Sequence, residues 1–447
     1  MKLSCLNGIK WKLDLPNALS FALGLFSTMP MVGIPVAGRD FSVYRIALLA
    51  ALGYFGLMTL KNDRIKCGKQ LSKLILWLAL AALACLIGAL FLRGQVVEWG
   101  AAAKSNLPKV LILLVFALLW GSSGEARRSA PSAAAGFLLG CTLNCLWAAI
   151  DAGCYYLLGF SLHNRVFAGY IARNGLRYGM ASLILRGMIR AGGFNYDPAH
   201  LGFLAPVLTG YAIKKKKYWL LLIAVAGIAA SASTTGLICS LLCALMMGEG
   251  RRSIRIKTSA SGTKLFAALL LVPLVLGALV AVRGRAIPMI QSVFSSFFER
   301  INTFYVDSDR DNVRFQYVLY SFPAMLAALP FLLLGTGIGT ASYGYAMSPL
   351  VVQAMGDRVC SAYDMENTYL AYLFDTGLLG VAVYLVMLWT LFRAYRRRCR
   401  ERNTAFDAAV YATVCAAGFT MLFYHYILYA PQLLMFTAGL SWLDEEA

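Results

Sequence analysis

Two segments of the chain carry arginine to the exclusion of lysine, and one of them ends in an acid at the mouth of an apolar run. Residues 161–198 hold Arg165, Arg173, Arg177, Arg186 and Arg190; residues 283–366 hold Arg283, Arg285, Arg300, Arg310, Arg314 and Arg358. A guanidinium is a planar fork that grips two oxygens at once, whereas an ammonium is a compact point charge. Eleven forks without a lysine among them point to a bidentately held anion. A diphosphate head on a lipid carrier has the matching charge and shape. The bland use of any single arginine is pairing with lipid phosphates, or with Glu299, Asp307, Asp309, Asp311 or Asp357.

The second segment closes on Asp364-Met365-Glu366-Asn367, where a long apolar run begins. A half-buried carboxylate there could take a proton as a general base. It could equally be an acid favoured by the helix dipole. Asn144 and Asp151 stand inside an apolar run, Asp151 toward its end, and could line a polar cavity. His163, His200 and His425 are scattered, without ligand spacing, and the cysteines form no C-x-x-C pair, so no metal or cofactor is expected.

The elements that must position these groups are membrane helices. The chain has 447 residues, 60% hydrophobic and 14% charged, and runs of about 20 apolar residues recur along it. The first span is expected over residues 17–37 and is retained, since no small-residue cleavage site follows it. Further spans are expected at 41–60, 74–92, up to about Trp120, from about Ala133 to Gly159, and from Pro198 to Lys214. Two short apolar runs, 218–230 and 236–247, flank Ser231-Ala232-Ser233, and spans follow at 265–282, 368–392 and 405–428, with a short run at 431–443. Val293, Phe294, Phe297, Phe298, Ile301 and Phe304 recur at helical spacing, as in an interfacial amphipathic helix. Residues 315–334 are apolar but contain Pro323 and Pro330. A crossing there would put the Arg393–Arg402 cluster outside, against the positive-inside rule. A net charge of +20 arises largely from lysine and arginine clusters between spans, which argues for membrane topology and against nucleic acid.

The expected architecture is an all-α polytopic membrane protein with about twelve transmembrane helices and a cytoplasmic N-terminus. Residues 1–160 form helices one to five, 161–198 a first arginine-rich outer loop, and 199–283 helices six to nine. Residues 284–366 form a large outer loop, and 367–447 the C-terminal helices.

An ordered set of short motifs resembles the O-antigen ligase and polymerase superfamily of bacterial membrane glycosyltransferases. It comprises Arg190-Ala191-Gly192-Gly193-Phe194 leading to Pro198, then Ser231-Ala232-Ser233, then Arg314 before Gly335-Thr336-Gly337-Ile338-Gly339. Glu366-Asn367-Thr368-Tyr369-Leu370 and Gly377-Leu378-Leu379-Gly380 complete it, and the match runs over about residues 185–395. The resemblance implies a large, metal-independent, lipid-sugar-using fold of the GT-C type. It also implies transfer, with inversion, of a glycan from undecaprenyl diphosphate to a sugar hydroxyl at the outer face of the bacterial inner membrane. On that resemblance Glu366, Arg314 and Arg190 are the catalytic residues, and Arg186, Arg310, Asn367, Tyr369 and Asp364 bind substrate. Implied partners are the lipid-linked donor, the acceptor glycan, membrane lipids, and a chain-length regulator or flippase.

Three positions depart from the family. Glu366 stands where ligases carry histidine, Ala199-His200 where asparagine follows the proline, and Thr234 where arginine follows the Ser-x-Ser turn. The first departure favours a polymerase of repeat units over a ligase acting on another acceptor. A transporter or flippase of an anionic lipid is the rival from another class. It would need charges along a path through the membrane, whereas the arginines lie at the two faces.

Overall fold

The computed structural model describes residues 14–36, 39–62, 67–91, 97–174, 182–185, 188–195, 197–248, 331–341, 353, 367–422 and 428–446. These are mostly helical. The chain divides into two compact units, one of residues 1–50, 129–302 and 395–420, the other of residues 51–128, 303–394 and 421–447.

In the first unit α1 (Leu15–Ser27) starts from Asp14, whose carboxylate accepts the Asn17 N–H at 3.2 Å. Only 13 residues long, it rises about 20 Å, short of the ~30 Å apolar core. Residues 17–37 are therefore not the single span expected of them. The apolar character after Thr28 belongs to a hairpin, β1 (Gly33–Val36) against β2 (Arg39–Ser42), with Gly33 opposite Ser42. Hydropathy is blind to this switch from helical to extended backbone.

Next comes α5 (Ala126–Leu158), which α1 approaches so closely that a Cβ on Gly24 would fall on the Ala133 carbonyl. Gly136 and Gly140 of α5 face Phe21 and Thr28 in return. Small residues that let backbones meet are a usual device of membrane helix pairs. Beyond α5 lie α6 (Leu162–Val166), α7 (Ala168–Asn174), and a second hairpin of β3 (Ser182–Leu185) and β4 (Met188–Ala191).

A 3-10 turn at Pro198–His200 leads into α8 (Leu201–Lys215), buried all round from Leu201 to Ala212. An all-buried helix is the core of its unit, and α9 (Tyr218–Ser231), α10 (Thr234–Gly248) and α12 (Ala405–Thr420) surround it. The buried Cys141, Cys145, Cys239, Cys243 and Cys415 are free thiols serving as small apolar side chains.

The second unit holds most of α2 (Val43–Lys61), with α3 (Leu71–Phe91), α4 (Val97–Ser122), the greater part of α11 (Thr368–Glu401) and α13 (Ala430–Glu446). Phe55 stacks on Trp120 at 5.9 Å between centroids, and Trp77 meets Tyr372 and Tyr384 edge-on or tilted at 5.2 and 5.4 Å. The acidic end of α13 reaches two helix starts. Asp444 accepts the Gln70 and Leu71 N–H groups at 2.7 and 2.8 Å, and Glu445 accepts that of Arg127 at 3.0 Å. Carboxylates satisfy the exposed amides of a helix N-terminus and complement its dipole.

Among the described residues five helices are long and apolar enough to cross a membrane: Val43–Lys61, Leu71–Leu90, Ala102–Ser122, Ala126–Leu158 and Thr368–Glu401. The expected span at 265–282, the amphipathic stretch 293–304 and residues 315–330 lie outside the described residues.

Candidate functional site

In the first unit the site is a turn that follows an arginine-bearing strand. Ile189 and Ala191 of β4 are buried and Arg190 between them is half-buried, as strand alternation requires. The Arg190 Nε donates to the Ser231 carbonyl at 3.4 Å. That carbonyl ends α9, where Ala232 takes a left-handed φ of 45°. Arg190 and the Ser-x-Ser turn, 41 residues apart, are thus one local assembly. Ser233 then starts α10 by accepting the Gly236 N–H through its hydroxyl at 3.0 Å.

Asn144 of α5 fixes the turn after Arg190. Its Oδ1 accepts the Phe194 N–H and the Asn195 side-chain amide at 2.8 and 2.9 Å. Its Nδ2 donates to the Thr28 and Gly140 carbonyls at 3.0 and 2.8 Å. Gly193 needs its φ of 68° here, and a Cβ on it would strike Asn144. Asn144 is fully buried, so a network this complete rigidifies the turn. Asp151, also fully buried, accepts the Ser161 hydroxyl and the His163 N–H, both at 2.9 Å, and so holds the start of α6.

Two of the arginines of residues 161–198 have other work. Arg173 grips Asp40 of β2 in a fork, Nε to Oδ2 at 3.1 Å and Nη2 to Oδ1 at 2.8 Å. Arg165 lies 3.8 Å over the Phe160 ring. The charge excess of this loop is thus partly compensated from within the unit.

His163 packs against Trp147 and Phe167, whose rings both meet Phe194. The Trp147 indole N–H donates to Nδ1 at 2.9 Å, leaving the neutral ring its proton on Nε2. Burial pushes the His163 pKa down to about 4, against the pull of Asp151. The unfolded chain therefore takes up this proton first. Stability is complete above about pH 6.5, falls as pH drops, and levels off below about 4, a loss of about 3 kcal/mol. Thermal unfolding of detergent-purified protein should show a lower Tm at pH 5 than at pH 7, and His163→Gln should flatten that slope. An unchanged slope in the variant would assign the acid sensitivity elsewhere.

In the second unit the site is a broken helix. Gly377 has φ 67° and ψ −176°, which splits α11 into 368–376 and 378–401. The Gly-x-Gly-x-Gly turn enters the break. Thr336 and Gly337 donate their N–H groups to the Phe374 and Asp375 carbonyls at 2.8 and 2.9 Å, and Leu378 donates to the Leu332 carbonyl at 2.8 Å. Asp375, fully buried, accepts the N–H groups of Gly339, Thr340 and Ala341 at 2.9, 3.0 and 2.9 Å. Irregular backbone at membrane depth survives only where protein satisfies it in this way.

The turn is cradled by α3 and α4. A Cβ on Gly88 would fall on the Thr336 carbonyl, and Asn106 donates to the Ile338 carbonyl at 2.9 Å. At its other end the half-helix starts on Asn367, whose Oδ1 accepts the Leu370 N–H at 3.1 Å while Nδ2 donates to the Leu422 carbonyl at 3.1 Å. Both ends of this amide are engaged in holding the helix start. Tyr369, two residues along, is half-buried.

Of the residues proposed from sequence, Arg190 stands in the first unit, and Asn367 and Tyr369 in the second. Glu366, Arg314, Arg186, Arg310 and Asp364 lie outside the described residues, as do Tyr343, Tyr345 and Tyr363. Asp375 escaped sequence reasoning. A lone acid inside an apolar run, two residues after the Tyr372-Leu373 pair and two before Gly-x-x-Gly, is the signal available.

Long apolar helices, a helix broken at glycine and a buried carboxylate at the break define a multi-pass helical membrane protein with a built, discontinuous joint. A family model described as O-antigen ligase matches residues 219–385. The resemblance to the O-antigen ligase and polymerase superfamily is therefore borne out over this stretch, which runs from α9 past the break in α11 and leaves Arg190 outside it. No curated protein and no solved structure matches the chain.

Proposed function

We propose that the protein polymerises lipid-linked oligosaccharide repeat units of O-antigen or another surface polysaccharide at the outer face of the bacterial cytoplasmic membrane. The family match over residues 219–385, which takes in Arg314, the Gly-x-Gly-x-Gly turn and Glu366-Asn367 together, carries the glycan transfer, and Glu366 in the place of the ligase histidine favours the polymerase. The family itself supports a membrane enzyme that transfers glycans.

In the proposed reaction an acceptor sugar hydroxyl attacks the anomeric carbon of the donor. Its proton passes to Glu366, and the bond from that carbon to the diphosphate oxygen breaks with inversion. Arg190 and Arg314 stabilise the charge gathering on the departing undecaprenyl diphosphate, with Arg186 and Arg310 as further contacts. Asp364 and Tyr369 flank the acceptor, and Asn367 fixes the helix start beside them. No metal is needed, because the arginines supply the positive charge. About twelve crossings of a GT-C-type fold, with both arginine-bearing loops outside, would set this chemistry at the outer leaflet. A chain-length regulator or flippase would complete the assembly.

The ligase alternative fits the family equally well and keeps the same donor chemistry. Loss of the gene product separates the two. Single repeats remaining on the acceptor support a polymerase, and long chains stranded on the lipid carrier support a ligase. The assignment of the base is tested with purified protein and an undecaprenyl-diphosphate-linked glycan. Glu366→Gln should lower transfer by at least ~100-fold, the usual scale for a lost general base, and Asp364→Asn should cost far less. Equal, mild losses would mean another group takes the proton.

A further inference from the structure

Asp375 is the one acid in the first half of α11, and its surroundings are unusual for a carboxylate inside an apolar helix. Three consecutive main-chain N–H groups, of Gly339, Thr340 and Ala341, converge on it within 3.0 Å. The two preceding glycine-turn amides close on the carbonyls of Phe374 and Asp375 itself. By side chain and main chain Asp375 thus takes the amides of Gly337, Gly339, Thr340 and Ala341 and seats that part of the turn against the break. A carboxylate at membrane depth costs about 3 kcal/mol before compensation, and plain packing would be served by an apolar residue. What a carboxylate adds is direction. It accepts from three donors at fixed angles, so only one register of turn against helix satisfies it.

The half-helix that Asp375 ends is held at its start by Asn367 and by the Met421 and Leu422 carbonyls, the former accepting the Thr368 N–H at 2.9 Å. The segment between is a nine-residue rod about 13 Å long. Its starting end adjoins Glu366.

We infer that Asp375 is a positioning residue for glycan transfer: through the Gly339–Ala341 turn it sets the register of the half-helix that begins at Asn367, beside Glu366. The inference rests on the proposed reaction. A rotation or slide of the rod would move the candidate base off the acceptor hydroxyl. A displacement of about 1 Å at a reacting pair costs on the order of 100-fold in rate.

The test uses the full chain, purified in detergent or nanodiscs, with a polyprenyl-diphosphate-linked glycan. Two readouts are taken: kcat and donor KM, and hydrogen–deuterium exchange at residues 339–341. Asp375→Asn keeps one acceptor oxygen but turns an amide N–H toward a donor, and Asp375→Ala keeps none. The expected result is faster exchange at 339–341 in both variants, with kcat down roughly 10-fold in Asn and 100-fold in Ala and donor KM within about twofold. Faster exchange with unchanged kcat in the folded Asn variant would overturn the inference while leaving the reaction intact. So would a loss of transfer that merely tracks the loss of folded protein. Absence of transfer by the wild-type chain, with 339–341 still protected, would instead sink the proposed reaction and the positioning role with it.

Discussion

Gly377→Ala is expected to leave little folded protein in the membrane. The residue holds φ 67° with ψ −176°, a region that only glycine enters without strain. A Cβ there would fall on the Leu333 carbonyl and 2.6 Å from the Gly335 nitrogen. Both are backbone atoms of the inserted turn and cannot swing aside. Backbone strain alone costs about 1–3 kcal/mol, and forcing the turn out breaks the reciprocal bonds that satisfy both halves of α11. The total should exceed about 4 kcal/mol, the range of exceptional single substitutions. Gly418→Ala in α12 is the control, since a Cβ there meets nothing within 4 Å and alanine favours a helix by roughly 1 kcal/mol. Yield and Tm by fluorescence-detected size exclusion should separate the pair widely. Similar values would mean that the break in α11 tolerates a side chain.

Arg190→Ala should remove glycan transfer almost completely while leaving Tm near the wild-type value. Losing a group that stabilises charge at the leaving oxygen costs about 10²–10³ in kcat. Arg190 sits half-buried on a strand, so its truncation removes little packing. Arg190→Lys should recover little of the loss. The Nε bond to the Ser231 carbonyl orients the guanidinium plane, and lysine cannot spend one donor on a carbonyl while presenting a fork to a phosphate. Arg314 should behave alike under the same comparison. Wild-type rates in Arg190→Ala would take the first unit's arginine out of the reaction and leave the positive charge to the segment after residue 283.

Helix positions were largely legible because long apolar runs flanked by lysine and arginine leave one solution in a bilayer. Thus α2, α3, α5, α8, α9 and α10 fall within a few residues of expectation, except for the early start of α5 at Ala126. The failure at residues 17–37 has a physical cause. Met29 to Val36 is as apolar as a span, but Pro30, Gly33 and Pro35 disfavour a helix there, and hydropathy does not register that. The motifs were legible as spacing, not as contacts. Arg190 meets Ser231 across 41 residues, and Asp375 meets its three amides across 34 to 36. Nothing local to Asp375 announces donors that far away. Arg173 belongs by sequence to the lysine-free anion-binding set, yet its partner Asp40 stands 133 residues earlier, on a hairpin that hydropathy does not reveal.

The grip of Asp444 on the start of α3 also sets a clock. Asp444 is translated 374 residues after Gln70, whose amide it accepts. At 5–20 residues per second the ribosome needs roughly 20–75 s to cover that distance. During that interval the amides of Gln70 and Leu71 must be served by water or lipid head groups, although α3 is already made. Insertion of the early helices and final closure of the second unit are therefore separate events in time. The nascent chain must survive in between with its third helix unfastened.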